Sequence, residues 1–213
     1  MTVELIERAQ DYVRKKFENE YSGHDDFHPL RVFKMATRIA KNEGADVKIV
    51  QLAALLHDVD DRKLSPETYQ NQTHARNFLR ENGVEVDAIE HICQIIREIS
   101  FGANNAAPTT KEGQCVQDAD RLDAIGAIGI ARAFAYGGHH NREMHSPNIK
   151  PNLNMTKEEY VKSESTTINH FYEKLFRLSA LMNTQTAARL AQERDAYMQA
   201  FVAEFMDEWE GIR

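Results

Sequence analysis

A histidine and an aspartate stand side by side at His57–Asp58, where the apolar run Leu52-Ala53-Ala54-Leu55-Leu56 ends. A greasy helix that closes on an imidazole beside a carboxylate needs something to satisfy both, because an unpaired buried charge is costly. A cation or a strong hydrogen-bond network meets that need. Upstream, His28 opens the stretch His28-Pro29-Leu30-Arg31-Val32; downstream, Gln117-Asp118-Ala119-Asp120-Arg121-Leu122-Asp123 offers further carboxylates. Imidazoles and carboxylates together form a mixed nitrogen and oxygen donor set. Such a set suits Mn²⁺, Fe²⁺, Co²⁺, Ni²⁺ or Mg²⁺ better than a structural zinc, which favours thiolates. His57 and Asp58 lie about 100° apart around a helix axis, yet at a helix end both reach one ion. Asp118 and Asp120 are two positions apart and face nearly opposite ways, so only one of them is expected to be a ligand.

The order His, then His-Asp, then Asp, all on helices, resembles the HD-domain superfamily of metal-dependent phosphohydrolases. His28-Pro29-Leu30-Arg31-Val32 looks like that family's first motif, Leu55-Leu56-His57-Asp58-Val59-Asp60-Asp61-Arg62-Lys63 like the second, and Ala119-Asp120-Arg121-Leu122 like the last. The likeness covers residues 20–135; the remainder, with Tyr136-Gly137-Gly138 and the stretch from Lys174 to Trp209, is similar to small bacterial HD hydrolases of the YpgQ/YedJ type. That subgroup is associated with nucleotide pyrophosphohydrolysis. The resemblance implies an all-α HD-domain helical bundle with additional C-terminal helices. It implies one divalent metal ion, Mn²⁺ favoured, held by His28, His57, Asp58 and Asp120, with Asp118 supporting Asp120. It also implies a metal-activated water that cleaves a nucleoside triphosphate and releases pyrophosphate. The alternatives are another phosphomonoesterase, a cyclic-nucleotide phosphodiesterase, and a metal- or nucleotide-binding module without turnover.

Other residues near these motifs have chemistry to offer. Asp61 comes three positions after Asp58 and falls near the same face if the helix continues, where it would orient or deprotonate water. Arg31, Lys63 and Arg121 each sit inside a motif, and cations beside a metal suit phosphate, which arginine grips with two N–H groups. His24, four residues before His28, is expected to contact substrate or support the site. His74 is a candidate extra ligand, but multi-metal relatives add a further histidine near Ser100-Phe101, where this chain has none. The departure favours a single ion. His139, His140, Arg142 and His145 crowd a polar loop, while His91 and His170 read as structural.

The elements that must position these groups read as helices throughout. Ile6, Ala9, Val13 and Phe17 form a first apolar stripe; a second helix ends at Gly44, and Asp46 caps a third that ends at His57. Ser65-Pro66-Glu67 signals a fourth helix running to Gly83. Asp87-Ala88-Ile89-Glu90 resembles a capping box and opens a fifth with Ile89, Ile92, Ile96 and Ile99 on one face. A sixth is expected from Gly113 to Tyr136, broken by Gly137-Gly138. Residues 139–155 form a lid-like loop, since structureless segments of this length are usually functional or disordered. A long helix with Phe171, Leu175, Leu178 and Met182 inward begins at Thr156, and a last helix carries Tyr197, Phe201 and Phe205.

With 213 residues, one domain spanning 1–213 is the default. The start of the chain lacks a basic-then-apolar leader and no run approaches a bilayer span, so the cytoplasm is the expected location. Cys93 and Cys115 are too few for a disulfide framework. The net charge of −7 argues against a nucleic-acid polymer as partner, though not against a small anion pocket. The expected partner is a small-molecule nucleotide or other phosphate ester, with no membrane; a homodimer is compatible.

Overall fold

The computed structural model describes residues 2–18, 27–61, 65–99, 106–155 and 165–213, and among them every regular element is helical. The all-α expectation is met. Helix α1 (Val3–Lys16) begins at Thr2, whose hydroxyl accepts the Leu5 amide. It buries Leu5, Ala9 and Val13, so the inward stripe starts at Leu5 instead of Ile6. Helix α2 (His28–Glu43) has Pro29 in its first turn, where a missing N–H costs nothing. It stops at Gly44, whose φ of 69° is the left-handed cap that glycine adopts without strain. Helix α3 (Val47–Leu56) starts under Asp46, whose carboxylate accepts the Lys48 and Ile49 amides at 2.9 and 3.2 Å.

The expected helix from Ser65 to Gly83 is shorter in the structure. The Ser65 carbonyl accepts the Thr68 and Tyr69 amides, which makes one turn, but regular helix α4 occupies only Thr73–Glu81. The interruption falls at Gln72, which takes a left-handed backbone, φ 52° and ψ 48°, just before α4. Helix α5 (Val86–Ile99) buries Ile89, Ile92, Cys93, Ile95, Ile96 and Ile99. It starts one residue before Asp87, which therefore lies in the first turn and not at the cap. The residues of α3 from Leu52 to Leu56 have no exposed surface, and α3 packs against α1, α2 and α5. A helix apolar on all sides belongs at the centre of a bundle.

Where one sixth helix was expected there are two, α6 (Lys111–Asp123) and α7 (Gly126–His139). Gly126 has φ +77°, and a Cβ on Gly129 would collide with the Ala124 carbonyl. These two glycines let the chain turn tightly between the helices. Helix α7 then continues through Gly137-Gly138, which do not end it.

Packing divides the chain into two units, Met1–Asp120 with Asn183–Ala187, and Arg121–Met182 with Ala188–Arg213. In the second unit the 140–155 segment is hydrogen-bonded to residues 167–173. The Thr167 and Ile168 amides donate to the Glu143 and Met144 carbonyls, each at 2.9 Å, and the Asn152 amide donates to Glu173 at 3.0 Å. Thr156–Glu159, the expected helix start, lies outside the described residues. The chain resumes as α8 (Thr167–His170), a π-helical turn (Phe171–Leu175), α9 (Phe176–Leu178) and a 3₁₀ turn (Ser179–Leu181), with Phe171, Leu175 and Leu178 buried as expected and Met182, past the last turn, only half-buried. In α10 (Gln185–Trp209) the buried residues of this unit are Leu190, Ala191, Met198 and Val202, while Tyr197 faces outward at 57% exposure. No helix of the described residues is long and apolar enough to cross a membrane.

Candidate metal centre

Two helix ends bring the donors together. His28 is the first residue of α2, and His57 comes directly after the last residue of α3. Both imidazoles are buried, with ring centroids 5.3 Å apart and planes at 64°. The Nδ1 of His57 lies 2.9 Å from the Ala54 carbonyl, which can only accept. That contact places the proton on Nδ1 and leaves Nε2 with its lone pair. Nε2 is buried and has no hydrogen-bond partner. It faces Asp58 Oδ2 at 3.2 Å and Asp120 Oδ1 at 3.9 Å. His28 Nε2 lies 3.4 Å from each of the same two oxygens.

A buried lone pair turned toward carboxylates is an electrostatic conflict that a proton or a cation resolves. Ligand atoms of His28, His57 and Asp58 all fall within 4.8 Å of one another, and among the described residues they are the group that fits a metal ion. The charges respond accordingly. Burial works against a charged His57, but Asp58 and Asp120 outweigh it and hold the imidazole above its ordinary range. Burial would also raise Asp120, yet the hydrogen bond from His28 and the charge of His57 hold it below the usual carboxylate range.

Asp118 has a different task. Its carboxylate is fully buried and accepts the Asn183 and Thr184 amides, the Asn183 side-chain N–H at 2.8 Å and the Thr184 hydroxyl at 2.7 Å. It fastens α6 to the segment at 183–184 from the side opposite Asp120. Asp61 sits half-buried in the turn after α3: its amide donates to the Asp58 carbonyl at 3.0 Å, and its own carbonyl accepts Ser65. Asp60 accepts the His74 and Ala75 amides at 3.1 and 2.9 Å and so caps α4 from a distance.

Of the expected cations, Arg31 and Arg121 lie among the described residues, on α2 and α6. Arg31 lies half-buried on α2, three residues after His28. The guanidinium of Arg121 is buried and donates to the Leu181 carbonyl. His24 and Lys63 lie outside the described residues. His74 is in the first turn of α4 and is not part of the metal-binding group. His140 stacks on Tyr136 at 3.9 Å, Arg142 lies over the same ring, and His145 meets the edge of Trp209 at 5.1 Å. Asp123 pairs with Arg132 at 2.7 Å, as a helix-pairing residue would.

Sequence reasoning missed Gln72 and Arg97. Both line a cavity of about 250 Å³ whose wall includes His57, Asp60, Tyr69 and Ile96. No spacing signal marks them: Gln72 is a non-glycine residue in a left-handed conformation, and Arg97 is the polar neighbour of an isoleucine stripe.

Comparison with known proteins shows what the chain resembles. The family model described as HD domain matches residues 26–125, a range that contains His28, His57, Asp58 and Asp120. The Bacillus subtilis protein YpgQ is 36% identical over 209 residues, 97% of this chain and 94% of that one. A solved structure of YpgQ in complex with ADP has a TM-score of 0.76 and covers 96% of this chain and 100% of that chain. A Lactobacillus plantarum structure reaches a TM-score of 0.83 at 44% identity over 99% of both chains. An HD-superfamily hydrolase from Bacillus thuringiensis reaches 0.79 at 41% identity over 98% of both.

Proposed function

The chain belongs to the HD-domain family as a relative of YpgQ and is a metal-dependent phosphohydrolase, and we propose that it cleaves a nucleoside triphosphate to a monophosphate and pyrophosphate. The observation that carries the reading is the His57 Nε2 lone pair, buried without a partner and facing two carboxylates beside His28. The ADP complex of YpgQ supports a nucleotide as the ligand class.

In this reading His28, His57, Asp58 and Asp120 hold one divalent ion, with Mn²⁺ favoured by the mixed donor set. When bound, the ion supplies Lewis acidity at the phosphoryl group and an activated water. The Ala54 carbonyl keeps the His57 proton on Nδ1, so Nε2 stays available as a donor atom. Asp61 takes the proton of the attacking water. Arg31, Lys63 and Arg121 offset charge on the phosphates, and His24 contacts the substrate.

Products decide the reading. Chromatography after incubation with a panel of nucleoside triphosphates and Mn²⁺, Mg²⁺, Co²⁺ or Ni²⁺ should give monophosphate and pyrophosphate in equal amounts. Diphosphate with orthophosphate would reject it. Turnover of monophosphates or cyclic nucleotides alone would give the site to another ester.

A further inference from the structure

The cavity beside His57 has a charge pattern that the metal centre does not explain. Arg97 stands at its wall on the last turn of α5. Its Nη1 donates to Gln72 Oε1 at 3.1 Å. Gln72 is 2% exposed, donates its own side-chain N–H to the Cys93 carbonyl at 2.9 Å, and is fixed further by its left-handed backbone. Arg97 is therefore braced by a neutral amide. Its neighbour Arg76, by contrast, is neutralised by Glu90 through two N–H contacts. Among the described residues Arg97 has no carboxylate within ion-pair distance.

The acidic group in the same wall is already engaged. Both Asp60 oxygens accept amides at the N-terminus of α4, where the helix dipole offsets the carboxylate. Among the described residues the Arg97 guanidinium makes one hydrogen bond, to Gln72, and it shares the wall with Tyr69 and with the imidazole of His57, which belongs to the proposed metal centre as well. A positioned guanidinium, screened by Glu90 and Glu98 only through space and not by a direct ion pair among the described residues, is suited to phosphate oxygens beside a phosphoryl-transfer centre.

We propose that this cavity seats the outgoing diphosphate of the substrate, with Arg97 as the group that grips it and Gln72 as the residue that positions Arg97. The assignment rests on the triphosphate reading above and adds where the chain of phosphates lies. Water adds to the α-phosphorus, and the bond from that phosphorus to the bridging oxygen breaks. The electron pair leaves with the diphosphate, whose gain in charge Arg97 meets. The nucleoside then points away from α4 and α5, so Arg97 favours di- and triphosphates over monophosphates without reading the base.

Calorimetric titration of the full chain with inorganic pyrophosphate, and separately with a nucleoside monophosphate, at one saturating Mg²⁺ concentration tests this without needing turnover. Arg97→Gln should weaken pyrophosphate roughly tenfold or more, the worth of a charge-assisted contact, and leave the monophosphate within about twofold. Arg97→Lys should fall between, and Gln72→Leu should weaken pyrophosphate with the charge still present. Metal content by elemental analysis and the far-ultraviolet dichroism should match wild type. Unchanged pyrophosphate affinity, or equal weakening of both ligands, overturns the proposal. Arg97-dependent pyrophosphate binding in a protein that cuts no triphosphate would remove the reaction and keep the seat. Cleavage to pyrophosphate with Arg97-independent binding would do the reverse.

Discussion

Asp118 and Asp120 are two residues apart on one helix, yet what each carboxylate already touches gives them opposite prospects. Asp118 is saturated by donors from Asn183 and Thr184, whereas Asp120, with 35% of its side chain exposed, lies 3.4 Å from a histidine nitrogen. Asp120→Asn is therefore expected to lower Mn²⁺ affinity with little change in melting. Asp118→Asn should cost about 1–3 kcal/mol of stability through weakened charge-assisted bonds and spare the metal. Mn²⁺ titration alongside thermal melts separates them, and the reverse order would make Asp118 the ligand. His57→Ala and Asp58→Ala each delete one donor from a small set and should strip bound metal while the helical signal persists. A full metal complement by elemental analysis in both would remove these residues from the centre.

Helices succeeded or failed as sequence readings according to how local their causes are. Gly44, Asp46 and the isoleucine face of α5 act within a turn or two, and each was legible. The convergence of His28 and Asp120 on the His57–Asp58 pair was legible too, because these residues sit inside motifs whose order is itself information. The end of the Ser65 turn was not legible, because its cause is a left-handed glutamine held by Cys93 and Arg97, both more than twenty positions away. The capping role of Asp60 was not legible either, because its partners are fourteen and fifteen residues on. The split between α6 and α7 also escaped periodicity, since apolar residues continue across it and the signal is steric. Gly129→Ala should reveal that signal. Its Cβ would meet backbone, not a yielding side chain, so a loss of about 2–4 kcal/mol is expected in urea unfolding. A change under about 0.5 kcal/mol would mean the turn relaxes freely.

The stability of the whole chain carries a proton-linked term from a histidine remote from the metal residues in sequence. Burial pushes His170 down to about 3 from an ordinary 6.5, with Lys174 and Arg142 adding repulsion. Below 6.5 the unfolded chain binds this proton and the folded chain refuses it, so acidification lowers stability until near 3. The slope is at most about 1.4 kcal/mol per pH unit. Urea midpoints at pH 7 and pH 5 should draw apart in wild type and less so in His170→Asn; equal gaps would mean His170 titrates normally. The Asp118 clasp has a consequence in time. Residues 183–187 pack with the first unit although some sixty positions separate them from α6. On the ribosome, Asp118 and the neighbouring Asp120 emerge long before Asn183 and Thr184 exist. A nascent chain halted at Met182 holds every proposed metal donor but none of the clasp, so the hydrolase matures only as synthesis approaches its last helix.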